Sequence, residues 1–297
     1  MIDSSDRMVE AIHEYGIIPF FRCPVSGWSV QEMTAPGCWF DENGADGVLG
    51  PWDWKVDAVN GGGIAYGKFL GGKAAFATSE WYGHLMNWRR SLPKYRMALG
   101  ERYSARTQSE KLMKYLAPVA LNAIKESGAL GSKELRLICS SALTPYQLRT
   151  LGSKYKPLLT PAVKKNVMDS VIGFLQMGTW SVIGEIERVY RGPDLTYSGW
   201  QLASNTTPEG LFGEPSGPLH GPALSSEDAR PAGSGLCMDE TCGMGDAMPS
   251  WARRFMDETD VSPLQVACTP EESREKIISH VQSLFPHADR LALEKLV

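Results

Sequence analysis

The sequence has no long apolar run, no clustered cysteines and few histidines, and each absence excludes a class of protein. None of its apolar stretches approaches the roughly 20 residues of a membrane-spanning helix. Its six cysteines are scattered, which is typical of reduced thiols rather than of a disulfide framework. Because the N-terminal residues are polar and acidic, we expect no secretory or mitochondrial address. We therefore expect a cytoplasmic protein that does not enter a membrane.

The chain also lacks the spacings of a metal site or a nucleotide loop. Cys237 and Cys242 are two thiols without the further nitrogen or sulfur ligands of a closed zinc site. His280 and His287 are separated by a proline, so they cannot act as neighbouring ligands on one helix. Gly61-Gly-Gly63 lacks the strand–glycine–helix context of a phosphate loop. The sequence predicts neither a metal nor a cofactor.

Neither sign of charge dominates, but the charges are unevenly distributed. The net charge of −4 argues against an indiscriminate nucleic-acid binder. Residues 107–206 nevertheless carry 12 Lys and Arg against 7 Asp and Glu, whereas residues 207–297 carry 7 against 15. The basic middle region favours contact with DNA phosphates, and the acidic C-terminal region is a candidate surface for a protein partner.

Residues 128–206 have the pattern of a winged helix-turn-helix. A short helix is expected from Ser132, and a second helix from Thr160-Pro161 to about Met177. Two apolar-alternating strands follow, and the polar segment between them is basic. Helix, helix and hairpin with a basic tip is the order of winged DNA-binding domains. The same order also serves protein–protein contacts, so the fold alone leaves the function open.

Two sets of polar residues in this region are candidate nucleic-acid contacts. The second helix has an apolar stripe, and its other side carries Lys164, Lys165 and Asn166, which are placed to reach a major groove. Arg188 and Arg191 belong to the hairpin and are placed to reach phosphates or a minor groove. A solvated helix face and a solvated hairpin tip explain the same residues equally well.

Residues 1–106 are predicted to form a separate α+β module. A helix ends at Gly16, Gly71-Gly72 marks a hairpin, and Ser79 starts a further helix. Residues 34–63 are interpreted as an irregular loop that its aromatic side chains hold against the module.

This module carries six polar or aromatic candidates for a pocket. One hypothesis is a stacking platform with a buried carboxylate, formed by Trp52, Asp53, Trp54 and Lys55. The alternative is that both tryptophans hold the loop against the module while Asp53 accepts hydrogen bonds from backbone N–H groups. Arg89 and Arg90 are candidates for binding a phosphate. The alternative is that their positive charges stabilise the C-terminal end of their own helix.

The remaining chain divides by composition. A winged-helix domain is assigned to residues 107–212. The capping box of Thr107 and Glu110 predicts the start of its first helix, and Pro118 is expected to break or restart that helix. Residues 144–157 are interpreted as a connection. Residues 213–250, rich in proline and glycine, are predicted to be a flexible insert. Residues 251–297 are predicted to be a helical segment, in which the capping box of Thr269 and Glu272 opens a helix. The whole is expected to be an α+β protein in which the winged helix packs with the N-terminal module and the helical tail.

Several phrases of the sequence resemble the AlkZ-related family of bacterial winged-helix proteins, a short branch near the tandem winged-helix DNA glycosylases. The most specific are Gly50-Pro-Trp-Asp-Trp-Lys55 and Ala65-Tyr-Gly-Lys-Phe69. The others are Pro19-Phe-Phe, Gly27-Trp-Ser-Val, Ser79-Glu-Trp-Tyr82, Asn87-Trp-Arg-Arg90, Leu175-Gln-Met177, Gly199-Trp200, Thr207-Pro-Glu209 and Leu284-Phe-Pro286. The resemblance implies a winged-helix fold, contact with DNA and a relation to base excision.

The resemblance also implies a catalytic position. The glycosylases place a water or steady the sugar with a glutamine and a second polar residue two positions later. Gln176 matches the glutamine, whereas Gly178 stands where the second polar residue is expected. One side chain orients a nucleophilic water less tightly than two, so any excision activity would depend on Gln176.

Three hypotheses follow from the sequence. A DNA-binding protein requires a positive stripe that joins Lys165, Arg188 and Arg191. A non-enzymatic protein-interaction module requires the exposed side of the second helix to be covered by the chain's own tail. An enzyme with a pocket in the N-terminal module requires a concave site around residues 52–55 with a group of perturbed pKa.

Overall fold

The computed structural model describes residues 1–39, 50–151, 156–194, 196–213 and 264–297. These residues belong to one compact unit, Met1–Gly213 with Ser262–Val297. The predicted insert, apart from Gly213, lies outside the described residues, as do Cys237, Cys242 and the start of the C-terminal segment.

The first half of the chain forms a sheet with helices packed against it. Helix α1 (Ser5–Tyr15) begins at Ser4, whose side chain accepts a hydrogen bond from the Arg7 N–H, and it ends at Gly16 with φ +69°. The further elements are β1 (Ile17–Pro19), α2 (Val30–Met33), α3 (Pro51–Asn60), β2 (Ile64–Leu70), β3 (Lys73–Thr78), α4 (Ser79–Ser91) and α5 (Pro93–Arg96). The strands form an antiparallel sheet in the order β1–β3–β2. Leu70 pairs with Lys73, which confirms the hairpin predicted at Gly71-Gly72.

The prediction of an irregular loop over residues 34–63 is wrong at its C-terminal end, because Pro51–Asn60 is the helix α3. Pro51 occupies the first helical turn, where its missing N–H is not needed, and Asp53 lies in the same turn, where a negative charge stabilises a helix. The composition of residues 34–63 does not indicate this helix, because glycines are frequent on both sides of it. Trp52, Asp53, Trp54 and Lys55 are therefore carried by a helix.

The second half alternates helices with a second sheet. Its elements are α6 (Gln108–Ser127), β4 (Ala129–Gly131), α7 (Ser132–Ala142), α8 (Pro145–Leu151), α9 (Lys156–Leu159), α10 (Lys165–Met177), β5 (Val182–Arg191), β6 (Thr196–Thr206) and α11 (Pro208–Phe212). The strands pair in the order β4–β6–β5, and both pairs are antiparallel. The capping box at Thr107 and Glu110 is confirmed. The winged-helix class stays a prediction.

Three local expectations in this half are wrong. Helix α6 continues through Pro118, because its apolar side, which includes Leu112, Leu116 and Leu121, is buried and outweighs the missing backbone hydrogen bond. Residues 144–157 include the helix α8 and the start of α9. Helix α10 begins at Lys165 rather than at Pro161, because the N–H groups of Val163 and Lys164 donate to Ser140 Oγ and to the Leu158 carbonyl instead.

The C-terminal helices complete the first half of the molecule. They are α12 (Pro270–Leu284), which opens with the predicted capping box of Thr269 and Glu272, and α13 (Arg290–Leu296). Helix α12 packs against α4. Helix α10 packs against α6 and against β2, and α3 packs against β5. Helix α3 also contacts β2 and therefore connects the two sheets. The polar clusters described next lie on α3 and α10.

Candidate functional site

The N-terminal end of α10 is an exposed, cationic helix end. Lys164, Lys165 and Asn166 are all exposed, while Val167 and Met168, which follow directly, are buried. Lys164 occupies the N-cap position without a side-chain cap, and Lys165 lies 3.6 Å from Asp169 in an exposed pair. The first N–H groups of a helix attract anions. The structure thus brings the three predicted major-groove residues together at a place where an anion is favoured.

A groove lies beside the solvent-facing side of α10. One cavity of about 440 Å³ is lined by Lys68, Lys94, Gly173 and the first turn of α6. A second cavity of about 200 Å³ shares Lys68 and Gly173 with it and contains Gln176 and Asn205. The groove therefore runs from two lysines to a pair of buried amide side chains.

Gln176 joins α10 to both sheets. Its Oε1 accepts a hydrogen bond from the Lys68 N–H at 2.9 Å, and its Nε2 donates to Asn205 Oδ1 at 3.3 Å. Gly67 permits this approach, because a Cβ there would lie 3.3 Å from Gln176 Cδ. The residue assigned to catalysis is thus a buried bridge at the wall of the smaller cavity. Gly67 and Lys68 belong to the Tyr-Gly-Lys-Phe phrase, so that phrase forms the other side of the bridge.

Asp53 is the centre of a polar cluster between α3 and the β5–β6 hairpin. Its carboxylate accepts hydrogen bonds from the Tyr197 hydroxyl at 2.5 Å and from Gln201 Nε2 at 3.0 Å, and it is 1% exposed. Burial, and then the hydrogen bond to Asp53, raise the pKa of Tyr197 to about 12. We call Asp53, Lys55, Arg188, Tyr197 and Gln201 the α3–hairpin cluster.

Lys55 is the buried cation of this cluster. Its Nζ donates to the Trp52 carbonyl at 2.8 Å and to Gln201 Oε1, and it lies 3.3 Å from the centre of the Trp52 ring. Burial lowers the pKa of Lys55 to about 7, although Asp53 opposes the shift. The group of perturbed pKa that the third hypothesis requires is therefore present, but it lies within a packed contact of α3 with the hairpin.

Arg188 and Arg191 lie in different surroundings. Arg188 Nη2 donates to the Asp53 carbonyl and to Asp57 Oδ1, both at 3.1 Å, so its guanidinium faces α3. Arg191 is exposed at the end of β5, beside the hairpin tip. The Arg188 guanidinium is therefore engaged with α3.

Arg89 and Arg90 connect backbone segments. Arg89 is buried and donates to Tyr95 Oη at 3.1 Å and to the Leu296 carbonyl at 2.9 Å. Arg90 donates through Nη2 to the Thr179 carbonyl at 2.8 Å and pairs with Glu209. Thr179 has φ +58°, a conformation that is unfavourable for a side chain with a branched Cβ. The Arg90 contact therefore holds a strained turn between α10 and β5.

The sequence interpretation missed three residues of these clusters, Tyr197, Gln201 and Asn205. They follow one another at intervals of four along β6, so on a strand they share one face. This spacing is the one signal in the sequence that points to them. Their partners on α3 and α10 are distant in the sequence and give no local signal.

The described residues can also be searched for a metal site and for a membrane-spanning helix. Among the described residues, no three His, Cys, Asp or Glu side chains are grouped so that they could hold a metal ion. The helices of the described ranges also include none with the length and apolar character needed to cross a bilayer.

The described residues thus define a mixed α-helical and β-sheet protein with two three-stranded sheets, in which α3 contacts both sheets and α10 has an exposed cationic end. The chain belongs to the AlkZ-related family, whose family model matches residues 2–230. This match confirms the resemblance drawn from the sequence phrases. No curated protein and no solved structure matches the chain.

Proposed function

We propose that this protein binds DNA through a winged helix-turn-helix formed by residues 107–206, with α10 as the recognition helix. Membership of the AlkZ-related family supports a relation to DNA glycosylases. The element order supports the fold class, since α6, β4, α7 and α10 precede a hairpin and the sheet order is β4–β6–β5. In such domains the recognition helix enters the major groove with its N-terminal residues.

The exposed N-terminal end of α10 is the observation that carries this proposal. Helix α12 packs against α4, and in the described part of the chain Lys164, Lys165 and Asn166 remain exposed. The protein-interaction hypothesis requires the tail to cover this side of α10, and the part of the tail that the structure describes, residues 264–297, leaves it exposed, which favours contact with DNA. Because Arg188 faces α3, we assign the phosphate contact of the hairpin to Arg191.

The test is binding of labelled duplex DNA by fluorescence anisotropy over a salt series. We expect the wild type to lose affinity as salt rises, because each neutralised phosphate releases counterions. Lys164→Ala/Lys165→Ala should weaken binding and reduce the slope of log affinity against log salt by about 0.9 for each phosphate that is no longer neutralised. Lys276→Ala, which removes an exposed lysine from α12, is the matched control and should leave the slope unchanged. Equal slopes for the wild type and the double variant, or no wild-type binding at low salt, would contradict the proposal.

Base excision is the second candidate, and the pairing of Gln176 with Asn205 favours it. Gly178 offers no side chain, but Asn205 places a second amide at the wall of the cavity of about 200 Å³. Two amides at one wall can orient a water better than one.

An excision assay on alkylated duplex DNA tests this candidate. We expect base release by the wild type and its loss in Gln176→Ala and in Asn205→Ala, with thermal melting to verify that both variants fold. DNA binding without base release in the wild type would leave the first proposal intact and remove the second.

A further inference from the structure

A thiol, a hydroxyl and an imidazole lie in contact where the segment before α12 crosses α4. Cys268 Sγ lies 3.0 Å from Ser273 Oγ, and His84 Nδ1 lies 3.2 Å from the same oxygen and 3.7 Å from the sulfur. Ser273 and His84 are buried, whereas Cys268 is half-buried. These residues take no part in the surface proposed for DNA.

The hydrogen bonds of Ser273 indicate the direction of a proton relay. Asn87 Nδ2 donates to Ser273 Oγ at 2.8 Å and to the Cys268 carbonyl at 2.8 Å. A hydroxyl accepts two hydrogen bonds and donates one. Ser273 can therefore accept from Asn87 and from the Cys268 thiol, and donate its own proton to His84 Nδ1.

This arrangement requires a neutral His84 whose Nδ1 carries a lone pair. Burial, and then the positive charge of Lys276 on α12, lower the pKa of His84, whereas Glu80 on α4 opposes the shift. The imidazole is therefore neutral at neutral pH and can accept a proton. A general base next to a thiol is the arrangement that activates cysteine nucleophiles.

We propose that Cys268 is a nucleophilic thiol that reacts with low-molecular-weight disulfides, with Ser273 and His84 relaying its proton. The thiol proton passes to Ser273 Oγ while the Ser273 hydroxyl proton passes to His84 Nδ1. The Cys268 sulfur attacks one sulfur of the disulfide, a new S–S bond forms, and the old one breaks. The departing thiolate takes the proton from the imidazolium, so the product is a mixed disulfide on Cys268 and one free thiol.

A cavity of about 560 Å³ lies beside this cluster. It is lined by Asn87, which donates to the Cys268 carbonyl, and by Val266 and Pro270, whereas Cys268 itself is half-buried next to it.

The test is the rate of modification of each cysteine of the full chain by 5,5′-dithiobis(2-nitrobenzoate), resolved by peptide mass spectrometry. Cys23 is the internal control, because it is also half-buried but its thiol donates to the carbonyls of Val25 and Trp28, and burial raises its pKa. We expect Cys268 to react at least about tenfold faster than Cys23 at neutral pH. The ratio should widen as the pH falls from about 8 to 7, and the Cys268 rate should fall steeply once His84 is protonated. A constant ratio over this range, or a slower Cys268, would overturn the proposal.

Variants separate the relay from simple exposure. His84→Gln should lower the Cys268 rate about tenfold and leave the Cys23 rate unchanged. Ser273→Ala should also lower the Cys268 rate. An unchanged Cys268 rate in a folded His84→Gln protein would also overturn the proposal. If thermal melting shows that this variant does not fold, the pH series of the wild type decides alone.

Discussion

Two regions of this protein use their cations in opposite ways. In the α3–hairpin cluster, Lys55 and Arg188 are held by carbonyls, carboxylates and an aromatic ring of the chain itself. At the N-terminal end of α10, Lys164 and Lys165 are exposed, and the pair of Lys165 with Asp169 is exposed as well. The sequence does not distinguish these residues. Lys164, Lys165 and Arg188 all belong to the basic region 107–206, and Lys55 is a lysine beside a tryptophan.

The difference shows which charges can serve a ligand. A cation that already has buried partners must give them up before it binds a phosphate, and an unpaired buried carboxylate is left behind. An exposed lysine gives up only hydration and mobile counterions. The α3–hairpin cluster is therefore expected to determine stability, and the end of α10 to determine binding.

The largest effect is expected from Asp53→Ala. The substitution leaves the buried Lys55 and the Tyr197 hydroxyl without their carboxylate, so the free energy of unfolding should fall by about 3 kcal/mol. Asp57→Ala is the matched control, since Asp57 binds the same arginine but is exposed, and it should cost about 0.5 kcal/mol. Urea unfolding of the two variants measures both values. Equal losses in the two variants would show that the buried carboxylate of Asp53 contributes no more to stability than the exposed carboxylate of Asp57.

A smaller effect is expected where α10 approaches β2. Gly67→Ala would place a Cβ 3.3 Å from Gln176 Cδ. We therefore expect the free energy of unfolding to fall by about 1–2 kcal/mol, although alanine is normally more stable than glycine within a strand. In a Gln176→Ala background the obstacle is absent, and Gly67→Ala should cost less. A double-mutant cycle by urea unfolding measures this coupling. Additive losses would mean that Gln176 is not what requires glycine at position 67.

The sequence predicts the local features of this fold better than its contacts. The hairpin at Gly71-Gly72 and the capping boxes at Thr107 and Thr269 depend on residues within a few positions of each other, and all three are confirmed. The interruption expected at Pro118 is wrong, because burial of a whole helix face outweighs one missing hydrogen bond.

The clusters follow a different rule. Gln176 is bound by residues of β2 and β6, and Asp53 by residues of β6 more than 100 positions away. Neither composition nor period identifies such partners. The sequence singles out Asp53, Lys55, Arg188 and Gln176 as polar residues, but only the fold shows that their groups are used internally.

Lys55 provides a pH-dependent test of the same cluster. Its folded pKa of about 7 lies below its ordinary value of 10.5, so between these values the unfolded chain binds more protons than the folded chain. The stability contributed by this residue therefore rises with pH through that window, by at most about 1.4 kcal/mol per pH unit.

We therefore expect the stability of the wild type relative to Lys55→Met to increase between about pH 7 and 9. Urea unfolding at three pH values measures the difference, and contributions from other groups cancel because both proteins share them. A pH-independent difference would show that Lys55 keeps its ordinary pKa in the folded protein.

The smallest change in stability is expected from Lys164→Ala/Lys165→Ala. Both side chains are exposed, and the pair of Lys165 with Asp169 is open to solvent, so the free energy of unfolding should change by no more than about 0.5 kcal/mol. The same variant should nevertheless show the largest loss of DNA affinity. Urea unfolding and anisotropy on one preparation measure the two effects together. A stability loss as large as that of Asp53→Ala would show that these lysines hold the fold together. A small loss of stability together with a reduced salt slope would show that these lysines contact DNA phosphates and contribute little to the fold.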